Sequence, residues 1–183
     1  VEPRIREILE AVREKGDEAL LHYTRRFDGV CLTAGELRVS EQEIEEATAT
    51  IEPTVKAAIE SAKARIEAFH RHEVRESWHV EEKDGTTVGQ LVRPLETVGI
   101  YVPGGYPSTV LMNSVPAVLA GVPRLILATP PGRDGRVNST VLFAAKTCRI
   151  EEIYKIGGAQ AIAALAYGTA TIPKVDKIVG PGN

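Results

Sequence analysis

Apolar residues recur along this chain at two different periods, and the change between them falls near Trp78. Upstream, the period is helical. In PRIREILEAVREKG, Ile5, Ile8, Leu9 and Val12 share one face, while Pro3 suits a first turn and Gly16 a stop. A second helix is predicted after Asp17, which can cap it, with Leu20, Leu21 and Tyr23 as its apolar contacts and the turn Phe27 to Gly29 as its end. SEQEIEEATATI opens with Ser40 and Glu43, the spacing of a capping box in which each side chain satisfies an orphan backbone donor. Pro53 starts a further helix, PTVKAAIESAKARIEAFHRHE, whose Val55, Ile59, Ala62, Ile66 and Phe69 form a continuous stripe. The first 73 residues therefore read as all helix.

From Trp78 the pattern alternates. HVEEKDGTTVGQLVRPL predicts two antiparallel strands around Asp84-Gly85, a dipeptide that readily adopts the positive φ angles of a tight hairpin. After Pro94, short apolar runs alternate with helical stretches: TVGIYV, then STVLMNSVPAVLAG capped near Ser108 or Thr109, RLILAT, STVLFAAKTC, EEIYKIG, AQAIAALAYG closed by Gly168, and KVDKIVG. Four strands alternating with three helices predict a parallel sheet with right-handed crossovers. The strands are almost wholly apolar, as expected where both sheet faces are covered.

Ligands of such a sheet collect beyond the carboxyl ends of its strands. Those ends carry Tyr101 with Gly104-Gly105, Pro130-Pro131-Gly132, Gly157-Gly158 with Gln160, and Gly180-Pro181-Gly182-Asn183. Consecutive glycines either make tight turns or let a ligand meet backbone N–H groups at a helix start. No complete GxGxxG is present. Tyr101 is either an amphipathic strand-end residue or a ligand contact, offering its ring to a base or ribose and its hydroxyl to a phosphate. Gln160 and Asn183 each present an amide that both donates and accepts.

Charge separates the two regions further. Residues 1–100 hold 14 Lys and Arg against 21 Asp and Glu, residues 101–183 hold 8 against 4, and the whole chain carries −3. The small net charge gives no reason to expect nucleic acid or a membrane surface as partner, and no apolar run approaches the ~20 residues that span a bilayer. A cytoplasmic protein is the default expectation. Cys31 and Cys148 lie far apart without ligand spacing and read as free thiols. His22, His70, His72 and His79 all precede the strand-and-helix region, and His70 and His72 point to different helix faces. The acids of the second region are Asp134, Glu151, Glu152 and Asp176, so neither a catalytic base nor a metal cluster can be assembled there.

VGIYVPGG, YPSTVLMNSVPA, TPPGRDGRVN, YKIGGAQAIAALAYGT and IPKVDKIVGPGN, in unbroken order and preceded by VREKGDEALLHYTRRFDG, closely resemble histidinol dehydrogenase. The resemblance implies an enzyme of histidine biosynthesis that contains zinc, acts as a homodimer and oxidises L-histidinol through L-histidinaldehyde to L-histidine with NAD⁺. It implies that Tyr101, Gln160 and Asn183 contact the NAD. It also implies that this chain is an N-terminal portion, because the family's zinc ligands and catalytic Glu-His pair lie downstream of GPGN. No catalytic residue or metal ligand is therefore expected here. Relatives carry a few more residues between YVPGG and STVLM, where only Tyr106 and Pro107 intervene in this sequence.

The expected architecture is α/β: N-terminal helices and a β-hairpin over residues 1–96, part of a larger domain, followed by an incomplete Rossmann-like parallel sheet over 97–183 that binds NAD. The expected function is NAD-dependent oxidation of histidinol in the longer enzyme. A non-catalytic nucleotide-binding or assembly module is the alternative.

Overall fold

The computed structural model describes residues 2–181. Its N-terminal part holds helices α1 (Glu2–Lys15), α2 (Asp17–Phe27), α3 (Glu41–Ala49) and α4 (Pro53–His70). A hairpin follows, β1 (Trp78–Glu81) and β2 (Thr87–Gln90). The remainder alternates as β3 (Thr97–Tyr101), α5 (Pro107–Leu119), β4 (Arg124–Thr129), α6 (Ser139–Thr147), β5 (Glu152–Lys155), α7 (Gly158–Tyr167) and β6 (Lys177–Val179). The four later strands form one parallel sheet in the order β5-β4-β3-β6.

That order contains a reversal. The chain steps from β3 through β4 to β5 in one direction, and then returns by α7 to place β6 on the other side of β3. Val98, Ile100, Leu127 and Ile153 pack with α5 and α6 on one face, whereas Tyr101, Ile126, Ala128 and Tyr154 pack with α7 on the other. Both faces are thus covered, which explains why the strands lack a polar side. Gly99 makes the fit under α7 possible, because a Cβ there would stand 3.1 Å from Leu165 and Val175 side chains. Fully buried side chains such as Ile100, Ile126 and Leu165 each contribute about 1.5–3 kcal/mol of burial.

The N-terminal helices form a second layer. α1 packs on α7, α3 on α6 and α4 on α5. Between α2 and α3 the backbone of residues 37–39 runs antiparallel to β5: Val39 N–H donates to Ile153 C=O (2.8 Å) and Lys155 N–H to Leu37 C=O (2.7 Å). This edge pairing was not predicted, since three residues are too few to show a period.

Several local expectations are corrected. Gly16, not Asp17, is the N-cap of α2, and the Asp17 carboxylate instead accepts from the Thr171 hydroxyl (2.6 Å). At α3, Ser40 accepts from the Glu43 N–H (3.1 Å), but the Glu43 carboxylate turns to Lys155 Nζ (2.7 Å), so only half of the predicted box forms. A complete capping box lies at Thr33 and Glu36. α5 begins earlier than Ser108, with Tyr106 at its N-cap and Pro107 opening the first turn. In the hairpin loop only Gly85 has positive φ (85°), which makes a three-residue turn rather than a two-residue one. The α4 stripe is buried at Ile59, but its last member, Phe69, is 66% exposed.

Candidate functional site

Strand order reverses between β3 and β6, and the carboxyl ends of strands at such a reversal are where parallel α/β sheets bind ligands. Tyr101 closes β3 and Gly180 follows β6. The two touch so closely that a Cβ on Gly180, whose φ is 140°, would fall on the Tyr101 carbonyl oxygen. On the same rim α7 begins. Gly157, its N-cap, packs on Pro130 at the end of β4, and a Cβ there would come within 2.7 Å of the proline. Three strand ends are thereby drawn together by backbone packing.

The Tyr101 hydroxyl accepts the Gly158 N–H at 3.1 Å. The first bond inside α7 runs from Ala161 N–H to Gly157 C=O (3.3 Å), so the earlier N–H groups lie outside the helical ladder and carry the positive end of its dipole. Gln160 is 1% exposed, and its Oε1 has no hydrogen-bond partner among the described residues. Thr129 closes β4 fully buried, and its Oγ1 is likewise without a partner among the described residues.

Tyr101 and Gln160 therefore meet at one helix start although their numbers lie 59 apart in the sequence. Asn183, the third predicted residue, lies outside the described residues. Tyr101 is 7% exposed and packs within the core, so its ring is not free to stack as the sequence allowed, and its hydroxyl accepts from the Gly158 N–H. The orphaned Thr129 hydroxyl was missed; its only sequence signal is a polar residue closing an apolar strand before Pro130-Pro131. Among the described residues no group of three or more His, Cys, Asp or Glu side chains is placed to hold a metal. His70 bonds to Glu73, and His79 lies on the exposed hairpin. A groove of about 700 Å³ lies at the other end of the strands beside Arg38, Ile44, Lys146 and Arg149, and none of the buried unpaired atoms lines it.

The family model described as histidinol dehydrogenase matches residues 1–183. The chain belongs to the histidinol dehydrogenase family. It is 52% identical over 186 residues to the histidinol dehydrogenase of Heliobacterium mobile, an alignment covering 100% of this chain and 43% of that protein. It is 55% identical over 185 residues to the histidinol dehydrogenase of a Synechococcus strain, with the same two coverages. The crystal structure of histidinol dehydrogenase from Elizabethkingia anophelis superposes with a TM-score of 0.93 at 40% identity, covering 100% of this chain and 42% of that one. The chain thus spans less than half the length of the histidinol dehydrogenases it matches. The architecture expected from sequence is the observed one: N-terminal helices, an antiparallel hairpin and a four-stranded parallel sheet with helices on both faces. No described helix is long and apolar enough to cross a membrane.

Proposed function

We propose that this chain is the NAD⁺-holding part of a histidinol dehydrogenase, and that the longer protein oxidises L-histidinol through L-histidinaldehyde to L-histidine. The observation that carries this is the convergence of the Tyr101 hydroxyl and the unpaired Gln160 amide on the start of α7, at the reversal point of the sheet. A buried amide oxygen without a partner is costly in a finished core and is explained by a ligand that completes it. When bound, NAD⁺ supplies the hydride acceptor. The chain's own residues bind and orient it: Tyr101 through its hydroxyl, Gln160 through its amide, and Asn183 as the third contact proposed from the family pattern. Residues 97–183 form the nucleotide-binding portion, and residues 1–96 brace it. Removing the alcohol proton needs a base and polarising its oxygen needs a metal. In this proposal both, with the zinc ligands and the homodimer contacts, come from the part of the family that this chain does not span. Cytoplasmic location is proposed on the same family grounds.

A second reading, a non-catalytic nucleotide-binding or assembly module, is favoured by the lack of a metal-holding cluster among the described residues. Calorimetry with NAD⁺ and a turnover assay with L-histidinol, zinc and NAD⁺ test both. Saturable binding weakened about tenfold or more by Tyr101→Ala or Gln160→Ala is expected, with no turnover. Affinity untouched by either substitution refutes the site, and turnover by this chain refutes its non-catalytic role.

A further inference from the structure

The register of β1 and β2 sorts the side chains of the hairpin by chemistry. Trp78, Val80, Val88 and Gln90 share one face, and His79, Glu81, Thr87 and Gly89 the other. The first face carries no charge, and its indole N–H already donates to Gln90 Oε1 (3.3 Å), so covering it strands neither an ion nor the Trp78 donor. Yet Trp78, Val80 and Val88 are 53%, 57% and 52% exposed, and the two strands pack chiefly on each other. A two-stranded hairpin open on both faces is marginal in water. This one is nevertheless held in shape, by Gly85 N–H to Glu82 C=O (3.0 Å) in its loop and by Val92 N–H to Ser77 Oγ (2.9 Å) at its base. Just past that base, Val92 and Leu95 line a groove of about 470 Å³ that reaches Val179 on β6, the strand whose outer edge is unpaired among the described residues.

We propose that the Trp78-Val80-Val88 face is a docking surface for the part of the longer histidinol dehydrogenase chain that these residues do not span, which lays an uncharged apolar face of the same polypeptide on it. This rests on the reading of the chain as part of a longer enzyme. The relatives it matches are more than twice as long, and the greater part of their remaining length follows the segment matched here, so it starts from β6 beside the groove. Charge favours that occupant over a second copy. The groove is lined by Arg75, Arg93 and Lys177 against Glu73 alone, and Glu73 is engaged by His70. Two copies set groove to groove would bring these cations together, whereas a segment that is apolar where it meets the hairpin and acidic where it meets the groove complements both. His79 and Glu81, on the opposite face, stay in water when the apolar face is covered.

The test uses the longer protein, with a benzophenone attached at Val80→Cys or, separately, at Val88→Cys, each in a Cys31→Ser background because Cys31 is the exposed native thiol. Irradiation is expected to give a product of single-chain mass whose cross-linked peptide lies outside residues 1–183. A product of twice that mass assigns the face to a second copy and overturns the proposal. A cross-link within residues 1–183, or no product from either position, overturns it too. Hydrogen exchange of the same protein supplies a second readout. Val88→Asp sets a charge in the docked face and is expected to speed exchange of the β1 amides about tenfold or more, whereas Thr87→Asp, one position away on the open face, is expected to leave it within about twofold. Equal effects of the two substitutions overturn the docking assignment. Neither readout uses nucleotide, so NAD⁺ binding and histidinol turnover by the longer protein stand or fall separately from it.

Discussion

Replacing Lys155 with methionine should unlatch the N-terminal helices from the sheet. Lys155 closes β5 at 8% exposure, and its Nζ lies 2.7 Å from Glu43 Oε2 on α3. The other Glu43 oxygen is buried without a partner among the described residues. Lys155→Met keeps most of the stem and removes the ammonium, stranding the glutamate charge. Breaking a buried pair from one side costs about 3–5 kcal/mol. The Glu43 side chain retains 19% exposure, so water relieves part of this, and about 2–3 kcal/mol is expected. With a urea slope of about 2 kcal/mol per molar, the unfolding midpoint falls by about 1–1.5 M. Far-UV circular dichroism is the better probe, because Trp78, the sole tryptophan, sits on the exposed hairpin and reports little of the core. Adding Glu43→Gln to Lys155→Met removes the stranded charge and should recover most of the loss. A midpoint shift below about 0.3 M in the single variant, or additive losses in the double variant, would refute the latch and reduce the pair to a surface contact.

Two further outcomes follow from contacts in the sheet. Arg124 donates to Glu152 from Nε (2.6 Å) and Nη2 (2.9 Å), and these bonds hold the Glu152 carboxyl below its ordinary value of 4.5. The stabilisation is present above pH 4.5 and fades as pH falls through the lowered folded value. Glu152→Gln should therefore lower stability by less than about 1 kcal/mol at neutral pH and by progressively less in acid. A deficit that persists undiminished in acid, followed by urea unfolding across pH, contradicts this. Gly180→Ala places a methyl on the Tyr101 carbonyl oxygen at a positive φ, and should cost more than about 1 kcal/mol and speed amide exchange in β6. Unchanged exchange at Ile178 and Val179 would show that β6 does not depend on that contact.

What was legible in the sequence depended on how far each signal extended. The strands of the parallel sheet announced themselves because burial on both faces leaves unbroken apolar runs, and α7 was bounded by Gly157-Gly158 and Gly168. Caps were less legible. Ser40 and Glu43 have the right spacing, yet Glu43 is claimed by Lys155, more than a hundred residues away, a competition that no local pattern shows. Hairpin alternation was clear, but it did not reveal that every residue of both strands is exposed. At the site, strand-end and helix-start positions pointed to Tyr101 and Gln160. Their meeting through the Gly158 N–H depends on the sheet closing, as does the burial that withdraws the tyrosine ring.

The strip at residues 37–39 gives the sheet a direction. Its backbone satisfies the outer side of β5, so that margin is sealed by the chain itself. The opposite margin, β6, pairs only with β3 among the described residues. An additional strand, whatever its origin, finds an unpaired strand edge at β6, beside Tyr101 and Gly180. Growth of the sheet and shaping of the proposed ligand site are thereby tied to the same border.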